Sequence, residues 1–420
     1  MRKTIKLALA ASMVLGATSA FATNGSNLIG IGAKARAMGG VGIGMAHGAE
    51  SALVNPALIS SVESTEIQFG GTIFMPNVKS TNNIGGGDST ETSAADLSVI
   101  PSISIATKVN ENFYWGIGMW GTAGMGVDYR DADKAADGGT QMQMVTNLQL
   151  MQFGVPLTYA NSGFSIGVTP VLQYGALDIN YEYPGNPNPA APAQGTNFGA
   201  GVGQDLAFGV NIGAAYQIAG VTIGASYKSQ IDMEYRNVLS TTVSPFSTTG
   251  SYDNDKLSTP AEIGLGVSYE IAGNTIALDY KQIKWSDAEG YKDFDWVDQD
   301  VIAIGYEYAA DSWAARVGYN YSASPIEEQK VAFGAAGETN VNSAGLTAGT
   351  VNTFNLLGFP ATTESHVTVG GTYGFTKQAS VDVALAYAPE ISKTFTNFAG
   401  QDITAKHSQT SVAIGLNYVF

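Results

Sequence analysis

Residues 263–280 read IGLGVSYEIAGNTIALDY. Ile263, Leu265, Val267, Tyr269 and Ile271 share one face of an extended chain, and Gly264, Gly266 and Ser268 share the other. After Ala272-Gly273-Asn274 the alternation resumes with Ile276, Leu278 and Tyr280. Successive side chains of a strand point to opposite faces, so this spacing predicts two strands joined by a tight turn. One face is large and apolar; the other is small.

The same pattern recurs from Thr65 to Phe420. Ile67, Phe69, Ile73 and Met75 share a face, as do Phe113, Trp115, Ile117 and Met119, and at the end Val412, Ile414, Leu416, Tyr418 and Phe420. The count is about fourteen strands, an even number as in single-chain bacterial barrels. Tight connections at 109–111, 160–162, 219–220, 272–274, 309–311 and 376–378 alternate with long ones near 76–94, 130–139, 183–202, 239–255, 286–297, 322–362 and 391–406. Tyr159, Tyr216, Tyr269, Tyr308, Phe375 and Tyr418 stand beside the short turns, as an interfacial aromatic girdle would. A large soluble β-sandwich explains neither the alternating loop lengths nor the aromatic at each turn. The fold expected is all-β: a 14-stranded antiparallel transmembrane barrel with both termini in the periplasm of a Gram-negative bacterium. Only 13% of the 420 residues are charged, against roughly 25% in soluble domains. There is no Cys, and after the N-terminus no apolar run long enough for a helical span.

Residues 1–22 read as a signal peptide: Arg2, Lys3 and Lys6, an apolar core from Leu7 to Ala17, and Ala20-Phe21-Ala22 before the cut. The mature chain then starts at Thr23, and its formal charge is more negative than the −16 of the whole chain, which disfavours nucleic acid, so none is expected as a partner. The expected partners are hydrophobic small molecules and the lipid and lipopolysaccharide of an outer membrane, with the barrel acting as a monomer. Residues 23–64 lack strand character. They are rich in Gly and Ala and end in Asn55-Pro56-Ala57. Such a segment cannot bury a core of its own, and a barrel of this width needs filling. Residues 23–64 are therefore expected to be a plug, or hatch, inside the barrel formed by 65–420.

The inward positions include Lys108, Lys228, Asp232, Glu234, Arg236, Asp279, Lys281, Glu307 and Arg316. These form either a paired network between wall and plug or, for Lys228, Arg236, Lys281 and Arg316, a site for a ligand carboxylate. In the fourth strand Leu148 and Leu150 have one parity, and Phe153, Val155 and Leu157 the other. Either a bulge shifts the register there, or the two leucines line an apolar pocket. The third segment, NFYWGIGMWGTAGMGVDY (112–129), carries Gly121, Gly124 and Gly126 among its five glycines. These permit a kink in the wall, a sideways way out into lipid for a hydrophobic molecule.

No catalytic group, metal site or cofactor is indicated. His366 beside Ser365 lacks a third residue to orient it, and Asp128, Asp131, Asp133 and Asp137 lack the spacing of a calcium loop. Phe354, Leu356, Leu357, Phe359 and Pro360 in the longest loop suit either a binding surface or a fold over the barrel mouth.

The chain resembles the FadL-type outer-membrane transporters of long-chain fatty acids and hydrocarbons. The resemblance rests on Ala37-Met38-Gly39-Gly40 followed by Asn55-Pro56-Ala57, on LSTPAE (257–262) leading into GLGVSY (264–269), on Asp279-Tyr280 with Ile283-Lys284-Trp285-Ser286, on Gly318-Tyr319-Asn320-Tyr321 with Ser324-Pro325-Ile326, and on HVTVG (366–370). It covers essentially the whole mature chain. It implies passive uptake of long-chain fatty acids or similar hydrophobic molecules. Capture is by outer loops, with a lumen site near the mature N-terminus at Thr23, gating by the hatch and lateral exit at the third-strand kink. It also implies that Asn55-Pro56-Ala57 braces the hatch against that kink. Uptake of aromatic or uncharged hydrocarbons, or a surface adhesin or phage receptor, are the alternatives.

Overall fold

The computed structural model describes residues 24–84, 87–134, 137, 139–185, 192–334 and 337–420. The proposed signal peptide, Thr23 and part of the Pro-rich loop after Tyr183 lie outside the described residues.

Fourteen strands span the wall: β1 Thr65–Asn82, β2 Ser98–Lys108, β3 Phe113–Asp128, β4 in two runs Val145–Gly154 and Leu157–Asn161, β5 Phe164–Tyr183, β6 Gly203–Ile218, β7 Val221–Lys228, β8 Glu262–Ile271, β9 Asn274–Ile283, β10 Gln299–Ala309, β11 Trp313–Ser322, β12 Ser365–Gly374, β13 Ala379–Thr396 and β14 Asp402–Val419. Each pairs antiparallel with the next, and β14 returns to β1, with Glu66 opposite Val419 and Asn82 opposite Ile403. Closure matters because hydrocarbon offers no partner to an unpaired backbone group. The turns at Ser162-Gly163, Ala219-Gly220 and Ala272-Gly273 have φ of 53° and 83°, 50° and 81°, and 52° and 77°. Two positive-φ residues make a type I′ turn, whose twist matches that of the strands it joins.

The predicted faces are observed. Leu265 and Ile276 are exposed outward, whereas Ser268, Ala277 and Asp279 are buried inward. The six girdle aromatics all face out. In β4 the ladder with β5 runs in one register from Val145–Asn180 through Leu157–Val168. Leu148 and Leu150 therefore face inward. The bulge that the sequence allowed in β4 lies across the ladder, in β3. In β7 wall pairing stops at Lys228. Beyond it the chain leaves the wall and pairs with residues 255–259, with Ile231 and Thr259 exchanging backbone hydrogen bonds of 3.0 and 2.9 Å. Arg236, expected in the lumen, consequently stands on an outer loop. Its side chain is 84% exposed and lies 3.6 Å from Glu234.

Residues 24–64 fill the lumen. A short helix, Ala33–Ala37, is followed by 3-10 turns Gly48–Ala52 and Pro56–Ser61. Asp279 of β9 accepts the backbone N–H groups of Gly42, Ile43 and Gly44 at 2.7, 2.7 and 3.1 Å. Across the lumen Thr368 of β12 accepts from Gly39 N–H at 3.0 Å, and Arg36 donates to Ser411 of β14 at 2.7 Å. The plug is small because the wall is near: a Cβ on Gly44 would sit 2.4 Å from the Gly266 carbonyl carbon. At the outer end Phe354, Leu356 and Leu357 are buried, so the longest loop folds over the mouth.

Candidate functional site

The β3–β4 register shifts between Gly121 and Ala123, leaving Thr122 as the extra residue. Glycine relieves crowding here, since a Cβ on Gly121 would lie 2.5 Å from Ile100 Cγ2. The bulge is covered from inside by the start of the plug. Leu28 N–H donates to the Thr122 carbonyl at 3.2 Å, and Gly124 N–H donates to the Ser26 carbonyl at 3.0 Å. Residues 26–28 thus act as a short extra strand at the irregular place in the wall.

Asn55-Pro56-Ala57 lies elsewhere, a correction to the expected brace against the β3 glycines. Asn55 Nδ2 donates to the carbonyls of Ile43 and of Ala214 in β6, at 2.8 and 3.3 Å, and Asn55 Oδ1 accepts from Ala57 N–H at 3.2 Å. Thr158 of β4 donates to the Pro56 carbonyl at 2.7 Å. Gly167 of β5 and Gly213 of β6 admit the motif: Cβ atoms there would lie 2.6 Å from the Pro56 carbonyl carbon and 1.9 Å from Asn55 Oδ1. The sequence showed a compact proline turn and a glycine-rich wall but not which glycines meet it. Several strands offer them.

Between plug and wall is a cavity of about 60 Å³, lined among others by Asn27, Leu28, Thr122, Gln152, Lys228 and Lys281. Pockets for drug-sized ligands measure roughly 300–1,000 Å³, so this cavity is too small to hold such a molecule whole. Two predicted cations meet here. Lys228 and Lys281 lie 3.3 and 3.5 Å from the same carboxylate oxygen of Glu262. The other oxygen of Glu262 accepts from Asn27 Nδ2 at 2.9 Å. One carboxylate thus joins both lysines to the segment covering the bulge. Glu262 was part of the LSTPAE motif, but nothing in the sequence marked it as the partner of both lysines.

Arg316 is kept from this cavity by a separate buried network, 2.5 Å from Glu307 and 3.8 Å from Asp382. Lys34 of the plug reaches Glu66 and Asp382, at 3.9 Å each. Nearby Glu50 is buried in the plug, which pushes its carboxyl up to about 8. His47 is pushed down to about 4 by burial, so its neutral ring donates from Nε2 to the Val41 carbonyl at 2.7 Å. Leu148 and Leu150 belong to the apolar zone beneath the outer loops; Leu150 Cδ2 and the Tyr235 hydroxyl both crowd Gly175. Sequence reasoning missed an aromatic group there. Trp285, Tyr291 and Trp296 have ring centroids 4.6–5.0 Å apart. Trp285 stood in a quoted motif, but its contacts depend on a loop folding inward. His366 faces the lumen and approaches Gln409, while Ser365 on the opposite face approaches the Tyr319 hydroxyl, so the two make no catalytic pair.

Residues 7–348 match the family described as outer membrane protein transport protein (OMPP1/FadL/TodX). The chain belongs to this family of outer-membrane transport proteins. Its place is the outer membrane, and its work is transport rather than catalysis. It is 23% identical to a long-chain fatty acid transport protein of Escherichia coli O6:H1, over 86% of this chain and 87% of that one. It is 25% identical to a 47 kDa outer membrane protein of Pasteurella multocida, over 90% and 92%. The fold is similar to the crystal structure of a Pseudomonas aeruginosa FadL homologue, with a TM-score of 0.67 at 14% identity over 94% of this chain and 99% of that one. It is also similar to that of the P. putida toluene transporter TodX, with a TM-score of 0.64 at 18% identity over 93% and 99%.

Proposed function

We propose that the protein takes up long-chain fatty acids or similar hydrophobic molecules passively, and releases them sideways through the wall at Thr122. The observation that carries this reading is the pairing of Ser26 and Leu28 with the β3 bulge. Where the wall ladder is irregular, two backbone hydrogen bonds from the plug cover it. Withdrawing residues 24–28 would open a route from the lumen into lipid without passing the periplasmic end. Ligand captured by the outer loops passes the apolar zone at Leu148 and Leu150 and brings its head to Lys228 and Lys281. Asn55-Pro56-Ala57 holds the remaining plug in place while the first residues move. The barrel acts as a monomer in contact with membrane lipid and lipopolysaccharide.

Uptake of radiolabelled oleate by cells with and without the protein tests transport, and equal uptake of oleate and of hydrocarbons sinks it. Deletion of Thr122 restores an unbroken β3–β4 register and should stop uptake while leaving a heat-resistant barrel.

A second reading has support of its own. Both cavity lysines are already paired with Glu262, which favours an uncharged hydrocarbon. Replacing Lys228 and Lys281 with Met separates the two: oleate uptake falls under the first reading and toluene uptake alone survives, whereas under the second neither ligand depends on the lysines.

A further inference from the structure

The cavity has two chemically different ends. At β7–β9 Lys228 and Lys281 are donors whose acceptor, Glu262, is already between them. At β3–β4 two oxygens are left over. Gln152 Oε1 and Thr122 Oγ1 are buried and, among the described residues, have no hydrogen-bond partner. Both residues line the cavity, and Gln152 is 5% exposed. The amide of Gln152 is oriented from behind. Its Nε2 donates to Gln173 Oε1 at 2.9 Å, and Gln173 Nε2 donates to Thr259 Oγ1 at 2.7 Å. The oxygen is therefore the atom left without a partner. Buried polar atoms are nearly always satisfied, so an orphaned acceptor and a hydroxyl lining one cavity call for a partner with a hydrogen to donate, which in a long-chain hydrophobic molecule is an O–H.

The position gives this chemistry a use. Thr122 is the bulge residue itself, and Gln152 stands opposite Trp120, two residues before it. Whatever leaves through the bulge passes these two side chains last, before hydrocarbon in which a charge is expensive. An ionised carboxylate is an acceptor only, suited to the lysines and opposed by Gln152 Oε1; an un-ionised carboxyl or an alcohol has a proton to donate.

We propose that Thr122 and Gln152 form a headgroup site for long-chain molecules that present an O–H, receiving alcohols and the neutral form of carboxylic acids at the point of lateral release. An acid bound as the anion at Lys228 and Lys281 takes up a proton from hydronium of the aqueous phase, releasing water, before it reaches this site. The proposal rests on the reading that ligands leave at the bulge.

The test uses the full-length mature protein in lipid vesicles and three probes of equal chain length: dodecanol, dodecanoic acid and dodecane. Gln152→Leu should slow transport of the alcohol and the acid by about tenfold, the equivalent of one good hydrogen bond, and leave dodecane unchanged. Thr122→Ser should keep wild-type rates, and Thr122→Val should lose part of the alcohol and acid rates only. An equal fall for all three probes overturns the site, because a merely structural defect acts that way. Unchanged rates for all three variants overturn it as well, with lateral transport left standing. A wild-type protein that carries none of the three overturns the exit reading and this site together.

Discussion

The indole of Trp285 stands where a side chain on Gly25 would have to go. A Cβ at Gly25 would lie 2.5 Å from Trp285 Cζ2, and Gly25 has φ of +66°. Around this contact Ser26 Oγ is 3.4 Å from the Tyr291 hydroxyl, and Asn24 Oδ1 accepts from Ser322 at 2.9 Å. Trp285 donates to Gln299 at 2.8 Å, and Trp296 donates to Asn355 of the outer lid at 2.9 Å. An outer loop therefore clamps the residues that cover the bulge.

Gly25→Val should force the indole out, because neither the backbone conformation nor the space accepts a branched side chain. The expected result is a red-shifted tryptophan emission and faster proteolysis near residue 25, with the barrel still resistant to heat. Unchanged emission would mean that the plug's first residues are not held by Trp285.

Asp279→Ala should loosen the plug without opening the barrel. The carboxylate accepts three backbone N–H groups. Hydrogen bonds to a charged group contribute about 1.5–3 kcal/mol each, and their loss leaves three buried donors unpaired. Hydrogen exchange at Gly42–Gly44 should accelerate by at least a hundredfold, equivalent to about 3 kcal/mol. Exchange in β9 itself should change little, and a parallel rise there would instead mean a damaged wall.

These contacts bear on what a sequence can reveal. The wall was legible because period two, turn glycines and girdle aromatics are local signals. Arg236 was misplaced for the same reason. The alternation of Val221, Ile223 and Tyr227 continues through Ile231, Met233 and Tyr235, yet the wall ends at Lys228. A two-faced ribbon folded into the mouth has the same period as a wall strand, with its apolar side turned to the lumen. The position of Asn55-Pro56-Ala57 was hidden for a different reason. Which strands meet the plug depends on how the whole barrel closes, and no short stretch encodes that.

Gly213→Ala should displace Asn55-Pro56-Ala57 from β6, since the new methyl would overlap Asn55 Oδ1. The bulge is on another strand, so its cover of residues 26–28 should remain paired. Uptake should fall severalfold if the motif holds the plug during release. The check is oleate uptake beside exchange at Leu28: slowed uptake with Leu28 still protected fits this role. Wild-type uptake would reduce the motif to a turn.

The docking of the plug should depend on pH through Glu50. Burial raises its carboxyl to about 8. Lys34 and Arg316 oppose that shift, while Asp382 adds to it. Below about 4.5, the ordinary value, Glu50 is neutral whether the plug is docked or undocked, and docking carries no penalty. Between about 4.5 and 8 the undocked carboxyl ionises and the docked one does not, so docking weakens steadily as pH rises, and above 8 the loss levels off. At pH 7 the accumulated cost is about 3 kcal/mol. Hydrogen exchange of Ala33–Ala37 and Gly48–Ala52 should therefore be slower at pH 5 than at pH 7.5, after correction for the intrinsic pH dependence of exchange. Glu50→Gln should abolish the difference and hold the plug at both pH values as firmly as the wild type does at pH 5. A pH dependence that survives in Glu50→Gln would assign the titration to another group.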